Sequence, residues 1–160
     1  MDNPNPHDLL DPETSAQIIR SHTRDGLELA RKHRLPKAIS AFIAEHHGTS
    51  KIGYFYHKAC EEYGEENVDC EAYRHLGPRP QAKETAIVLM ADRCEATVRS
   101  VRPSDAQELE KLVRSLISKT VASGQLDVAP LTLQEIDAIA TSFVDTLQGV
   151  FHPRISYPPS

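Results

Sequence analysis

Four side chains in this sequence have types and positions that could hold a transition metal: His22, the adjacent His46 and His47, and Asp92. Neutral imidazole is a common ligand for zinc, iron, manganese and nickel. Three imidazoles with one carboxylate suit such an ion better than calcium or magnesium, which prefer oxygen ligands. An ion held this way could activate water and neutralise a phosphoryl oxygen. Each residue also has a plainer role. Taken alone, His46-His47 is more simply two exposed rings at a polar helix end. His22 shares its helical face with Ile18, Ile19, Gly26 and Leu29, where a lone histidine is more often hydrogen-bonded than ligating. Asp92 follows Ala86-Ile87-Val88-Leu89-Met90-Ala91, the most apolar run of the chain. A buried carboxylate is costly unless it meets a cation. That cation is Arg93, a basic residue of another helix, or a metal. Arg79 and Lys83 come just before this helix. Lys83 either contacts a phosphate or pairs on a solvated first turn beside Glu84.

The elements that must position these groups are helical. Asp11-Pro12 reads as an N-cap followed by proline at the first helical position, opening a helix to about His33. Leu35-Pro36 punctuates it. Pro36 opens a second helix with Ile39, Phe42 and Ile43 on one face, ending at Gly48. Because a helix turns about 100° per residue, His46 and His47 should point apart, one toward a metal and the other toward a second metal or a substrate. A third helix fits Ser50 to Tyr63, stopped by Gly64. Residues 65–80 read as a loop whose acids (Glu65, Glu66, Asp69, Glu71) form a solvated surface. Gln81 to Val101 is the next helix, with Ile87, Met90, Ala91, Cys94 and Val98 at core spacing. Pro103-Ser104 starts another, with Gln107 completing a capping box on Ser104, and it runs to Ser123-Gly124. Thr132 and Glu135 form a second box, flanked by Leu131 and Ile136 as a hydrophobic staple, and that helix reaches about Phe151. No convincing strand is present. The expectation is an all-α, irregular helical domain over 1–160, helical from about 12 to 151, with a proline-rich tail at 153–160.

Composition narrows the function classes. The 160 residues carry a net charge of −5, which gives no electrostatic footprint for a nucleic acid polymer. No stretch is long and apolar enough to cross a bilayer, and Met1-Asp2-Asn3-Pro4 does not read as a secretion signal. Cys60, Cys70 and Cys94 are odd in number and lack Cys-x-x-Cys spacing, as expected of reduced thiols in a cytosol. With no Trp and few aromatics, the core must rest on Leu, Ile, Val and Ala.

Several runs together resemble a known family. They are Asn5-Pro6-His7-Asp8; Ser15-Ala16-x-Ile18-Ile19-x-x-His22; Asp25-Gly26-x-x-x-Ala30; Leu35-Pro36; and His46-His47-Gly48-Thr49. The pattern continues through Gly77-Pro78-Arg79-Pro80-Gln81-x-Lys83-Glu84, Ala91-Asp92-x-x-Glu95-Ala96-x-x-Arg99 and His152-Pro153-Arg154-Ile155. Over nearly its whole length the chain resembles the intracellular HD domain of bacterial seven-transmembrane HD receptors. The resemblance implies a helical phosphodiesterase with a two-metal site, usually iron or manganese. It also implies hydrolysis of cyclic dinucleotides, chiefly cyclic di-AMP, to the linear form. His22, His46, His47 and Asp92 match the family's metal-site residues, and Thr49, Arg79 and Lys83 are the candidate substrate contacts. A cytoplasmic domain of a parent anchored in the bacterial inner membrane follows from the same resemblance.

The departures are as informative. The family's defining His-Asp pair, and one histidine before it, precede the segment that begins at Asn5. His7-Asp8 spells the same pair but matches the separate Asn-Pro-His-Asp segment, and its simplest role is turn chemistry before the first helix. The expectation is therefore a partial HD domain lacking the first helices, a poor catalyst alone, with apolar surface that favours self-association. The alternative is a non-catalytic helical module that binds a nucleotide or a partner protein.

Overall fold

The computed structural model describes residues 6–151. The Asn5 end of the first matched run and the tail from His152, including the proline-rich stretch, lie outside the described residues. Among the described residues there are six α-helices: α1 (Pro12–Lys32), α2 (Lys37–Glu45), α3 (Gly53–Tyr63), α4 (Lys83–Val101), α5 (Ala106–Ala122) and α6 (Leu133–Phe151). Short 3-10 turns occupy Pro6–Leu9, Glu65–Asn67 and Cys70–Tyr73. The all-α expectation is met. Among the described residues the sole extended pairing is an isolated bridge between Lys51 and Arg74. No described helix is long and apolar enough to cross a membrane.

The chain divides into two compact units, residues 1–81 and 82–160. In the first, Asp11 caps α1 by accepting a hydrogen bond from Thr14 N at 2.8 Å. α1 lies against α2 and α3. Its packing on α2 depends on Gly26, because a Cβ there would come within 2.8 Å of Ile43 Cγ2. α2 is not the apolar stripe expected from its sequence. Ile39 is exposed and Phe42 and Ile43 are half-buried. The one buried residue of α2 is Glu45, whose carboxylate accepts from Gln81 N at 2.9 Å. The unit's small core comprises Ala16, Ile52, Phe55, Ala59 and Tyr73. α3 begins at Gly53, later than expected, because Lys51 and Ile52 pair with the 73–75 segment. Ile52 N donates to Tyr73 O at 2.7 Å and His75 N to Ser50 O at 3.0 Å.

The second unit is the apolar one. Ala86, Leu89, Met90, Cys94 and Val98 of α4 meet Leu109, Val113 and Ile117 of α5 and Ala140, Val144 and Leu147 of α6. The buried stripe of α4 is turned from the expected one. Leu89 is at its centre, whereas Ile87 and Ala91 are half-buried. The N-cap of α5 is Asp105, which accepts from Gln107 N and Glu108 N, while Ser104 bonds Glu108 from outside the helix. Asp105 takes the cap because its carboxylate reaches two free amides at once. The Thr132–Glu135 box forms as expected: Thr132 N donates to Glu135 at 2.8 Å and Glu135 N to Thr132 Oγ1 at 3.2 Å. Leu131 and Ile136 both pack on the core beneath it.

Candidate metal centre

Three of the four expected ligands meet within the first unit. His22 lies on the exposed side of α1. His46 caps the end of α2, and His47 follows in the turn that Gly48, at φ +53°, reverses. One potential ligand atom from each of the three lies within 4.8 Å of the others. The two adjacent rings do not diverge as a continued helix would require. α2 has ended at Glu45, so His47 is no longer on a helical lattice and its ring sits 4.0 Å from that of His46.

Hydrogen bonding fixes which nitrogens face the centre. His22 Nδ1 bonds the carbonyl of Ile19. His46 Nδ1 lies 3.0 Å from the carbonyls of both Phe42 and Ile43. A carbonyl can only accept, so each Nδ1 carries the hydrogen, and in a neutral ring each Nε2 then carries a lone pair. Those two Nε2 atoms face each other at 3.2 Å. Two lone pairs at that distance repel unless a proton or a cation lies between them. A cation relieves all three imidazoles together. Two nitrogens each about 2.1 Å from a zinc-sized ion, held 3.2 Å apart, subtend roughly 100° there. That angle lies between octahedral and tetrahedral values. The backbone-anchored Nδ1 atoms supply the outer-shell support usual for metal-bound histidine. The cluster fits a transition metal.

Electrostatics keep the centre ready for a cation. The His47 pKa is lowered to about 4, first by burial and then by the charges of His46 and His22. A neutral ring is the ligating form.

A fourth histidine, His75, belongs to the same cluster and carries no signal in helical periodicity. Its ring stacks on His47 at 4.2 Å and 28°, and lies 6.2 Å edge-on from His22. Burial, then His47, His22 and His46, and lastly Arg20, lower its pKa to about 3. The strand-like pairing of 50–52 with 73–75 brings it there, and that pairing is a long-range feature of a segment read as loop. The acids of that segment are exposed, as expected. His7 packs against Phe55, with ring centroids 5.4 Å apart.

Asp92 departs from the expectation of a buried carboxylate. It is exposed on α4, in the second unit. The buried positions 86, 89, 90, 94 and 98 lie on another face, so the apolar run before Asp92 does not enclose it. Its charge acts on Arg93, whose pKa is lowered by burial and held up in part by Cys94 and Asp92. Thr49 follows the turn and its carbonyl accepts from Arg74 at 3.2 Å. Gly77, at φ +76°, lies so close that a Cβ would come within 2.9 Å of Thr49 Cγ2. Arg79 is half-buried, and its carbonyl accepts from Gln81 Nε2. Lys83 pairs with Glu135 of α6. That pair, with the Thr132 bonds, lowers the Glu135 pKa to about 2.

The family model for the HD domain matches residues 4–97, which include His22, His46, His47 and His75. The chain belongs to the HD-domain family. Among relatives of this HD domain, it is 45% identical over 154 residues to the cyclic-di-AMP phosphodiesterase PgpH of Bacillus subtilis (strain 168), covering 96% of the chain. It is 40% identical over 156 residues to PgpH of Listeria monocytogenes. The chain spans only 21% of the length of each of these curated relatives. The crystal structure of the L. monocytogenes PgpH HD domain in complex with cyclic-di-AMP superposes with a TM-score of 0.87 at 39% identity. That match covers 96% of this chain and 71% of the solved one.

Proposed function

We propose that these residues are the metal-holding part of an HD-type phosphodiesterase. The complete domain hydrolyses a cyclic dinucleotide such as cyclic di-AMP to its linear form. The observation that carries the proposal is the facing pair of backbone-anchored imidazoles, His22 and His46, with His47 beside them, in a chain of this family. His22, His46 and His47 hold the ion; iron or manganese is expected, as two ions in the complete domain. Asp92 enters as a ligand through the family resemblance alone. A bound divalent ion supplies Lewis acidity toward a phosphoryl oxygen.

The chain's own groups supply orientation. The carbonyls of Ile19, Phe42 and Ile43 fix the tautomers of His22 and His46, so that their Nε2 atoms face inward without a proton. Thr49, Arg79 and Lys83 are proposed to meet the substrate, whose two phosphates make it anionic. Lys83 would have to exchange Glu135 for phosphate, which makes it the weakest of the three. The domain is proposed to be cytoplasmic, in a parent anchored in the inner membrane, and to self-associate.

The test is metal content after anaerobic loading with manganese or iron and desalting. The parent chain should retain metal and His46→Ala should lose it. Equal retention by both would sink the proposal. Asp92→Asn, measured the same way, decides whether that carboxylate contributes. Hydrolysis of cyclic di-AMP by the complete domain, lost with His46→Ala, is the expected functional result.

A further inference from the structure

Beyond the three clustered ligands, we propose that His75 is a positioning residue of this centre. It sets the orientation of the His47 ring through face-to-face contact. The inference rests on the metal-centre reading above and extends it to a residue outside the ligand cluster. Three observations carry it. The His47 and His75 rings are stacked, 4.2 Å apart and 28° from parallel, whereas the His22–His46 and His22–His47 contacts are edge-on. His75 Nδ1 is buried without a hydrogen-bond partner, so a side-chain bond from that nitrogen does not explain where the ring sits. The backbone, by contrast, is held firmly at that place by His75 N on Ser50 O at 3.0 Å, by Ile52 N on Tyr73 O at 2.7 Å and by Arg74 on Thr49 O at 3.2 Å. These bonds tie the His75 segment to the turn that carries His47.

The contact matters because His47 has left its helix. His46 is anchored through Nδ1 to two carbonyls of α2, while His47 lies one residue further on, between His46 at 4.0 Å and His75 at 4.2 Å. Two flanking rings restrict the orientations open to a planar side chain. His75 itself lies outside the group whose ligand atoms fall within 4.8 Å of each other. It therefore acts through His47 and not on the ion.

Two variants separate a ring-face role from a nitrogen role. His75→Phe keeps the flat face and removes the nitrogens; His75→Ala removes both. In the metal-free protein, the His47 ring proton resonances should move with His75→Ala and return toward the parent positions with His75→Phe. With cobalt(II) as probe, His75→Ala should weaken binding about ten-fold, as loss of outer-shell support does, and alter the visible absorption of the bound ion. His75→Phe should restore both. Unmoved His47 resonances in His75→Ala overturn the proposal, as does a cobalt affinity equal to the parent's. If His75→Phe, folded by circular dichroism, binds cobalt as poorly as His75→Ala, the nitrogen is a ligand and the positioning role is wrong. A parent chain that takes up no cobalt overturns the metal-centre reading, while the metal-free spectra still judge the stack.

Discussion

In the second unit the interior is a continuous apolar contact. Leu89, Met90, Val98 and Val113 are fully buried, and three helices each contribute to the cluster around them. In the first unit the apolar core is small, α2 buries no apolar residue completely, and four imidazole rings lie against one another. Burying apolar surface stabilises by roughly 25 cal/mol per Å². Gathering neutral imidazoles with facing lone pairs does the opposite until a cation arrives. One unit is therefore organised by what excludes water, and the other by what a ligand completes. Stability and chemistry should be separable by mutation.

Leu89→Ala and His22→Ala put that separation to its strongest test. Leu89 is fully buried in the apolar cluster, and truncation should cost about 2–5 kcal/mol of unfolding free energy in urea. His22 is exposed. Its truncation in metal-free protein should stay within about 0.5 kcal/mol of the parent, while abolishing tight metal binding. A metal-free His22→Ala protein as unstable as Leu89→Ala would erase the distinction.

A middle case is Gly26→Ala, where architecture and site meet. The added Cβ would come within 2.8 Å of Ile43 Cγ2, so the Ile43 side chain or the α1–α2 spacing must give. Overpacking of this kind costs about 1–3 kcal/mol, against a helix-propensity gain of up to about 1 kcal/mol from replacing glycine. Gly26 is one turn beyond His22 on α1, and Ile43 lies one turn before His46, whose Nδ1 its carbonyl holds. Separating the helices should therefore lengthen the 3.2 Å approach of His22 to His46 and weaken cobalt binding. An unchanged cobalt affinity would show that the site does not depend on this close approach.

The legible parts of the sequence were those whose signal is local. Asp11-Pro12, Gly64 and Thr132–Glu135 mark helix ends by chemistry confined to a few residues, and the structure places ends there. His46-His47 stood out as adjacent rings before a glycine. The expected burial of Asp92 is not met, because an apolar run along the sequence does not enclose the residue that follows it. On α4 the buried face passes through 86, 90, 94 and 98, and residue 92 is on the other side. His75 was missed because nothing near it in sequence distinguishes it from a loop histidine. It reaches the cluster through pairing between residues 50–52 and 73–75, which no periodicity announces. Divergence of the His46 and His47 rings holds only for a helix that continues through both, and this helix stops at Glu45.

The smallest expected effects are in pH dependence, because the groups concerned are partly or wholly solvated and water screens them. They still distinguish the two units. In the metal-free protein, His47 titrates near 4 and His75 near 3 when folded, against an ordinary value of 6.5. The unfolded chain takes up protons first as pH falls, so it is favoured through that range. The first unit's contribution is complete above about 6.5 and drains as pH falls toward 4 for His47 and toward 3 for His75. In the second unit, Glu135 titrates near 2 when folded against 4.5, chiefly through Lys83. Its contribution is intact above 4.5 and is lost between 4.5 and about 2. Urea midpoints measured across pH should therefore begin to fall below pH 6.5, with His75→Phe reducing that early loss and Glu135→Gln reducing only the later one. A midpoint that stays flat from pH 7 to 5 without metal would mean the imidazoles are not held neutral by burial and mutual repulsion. The cluster would then need no cation to explain it.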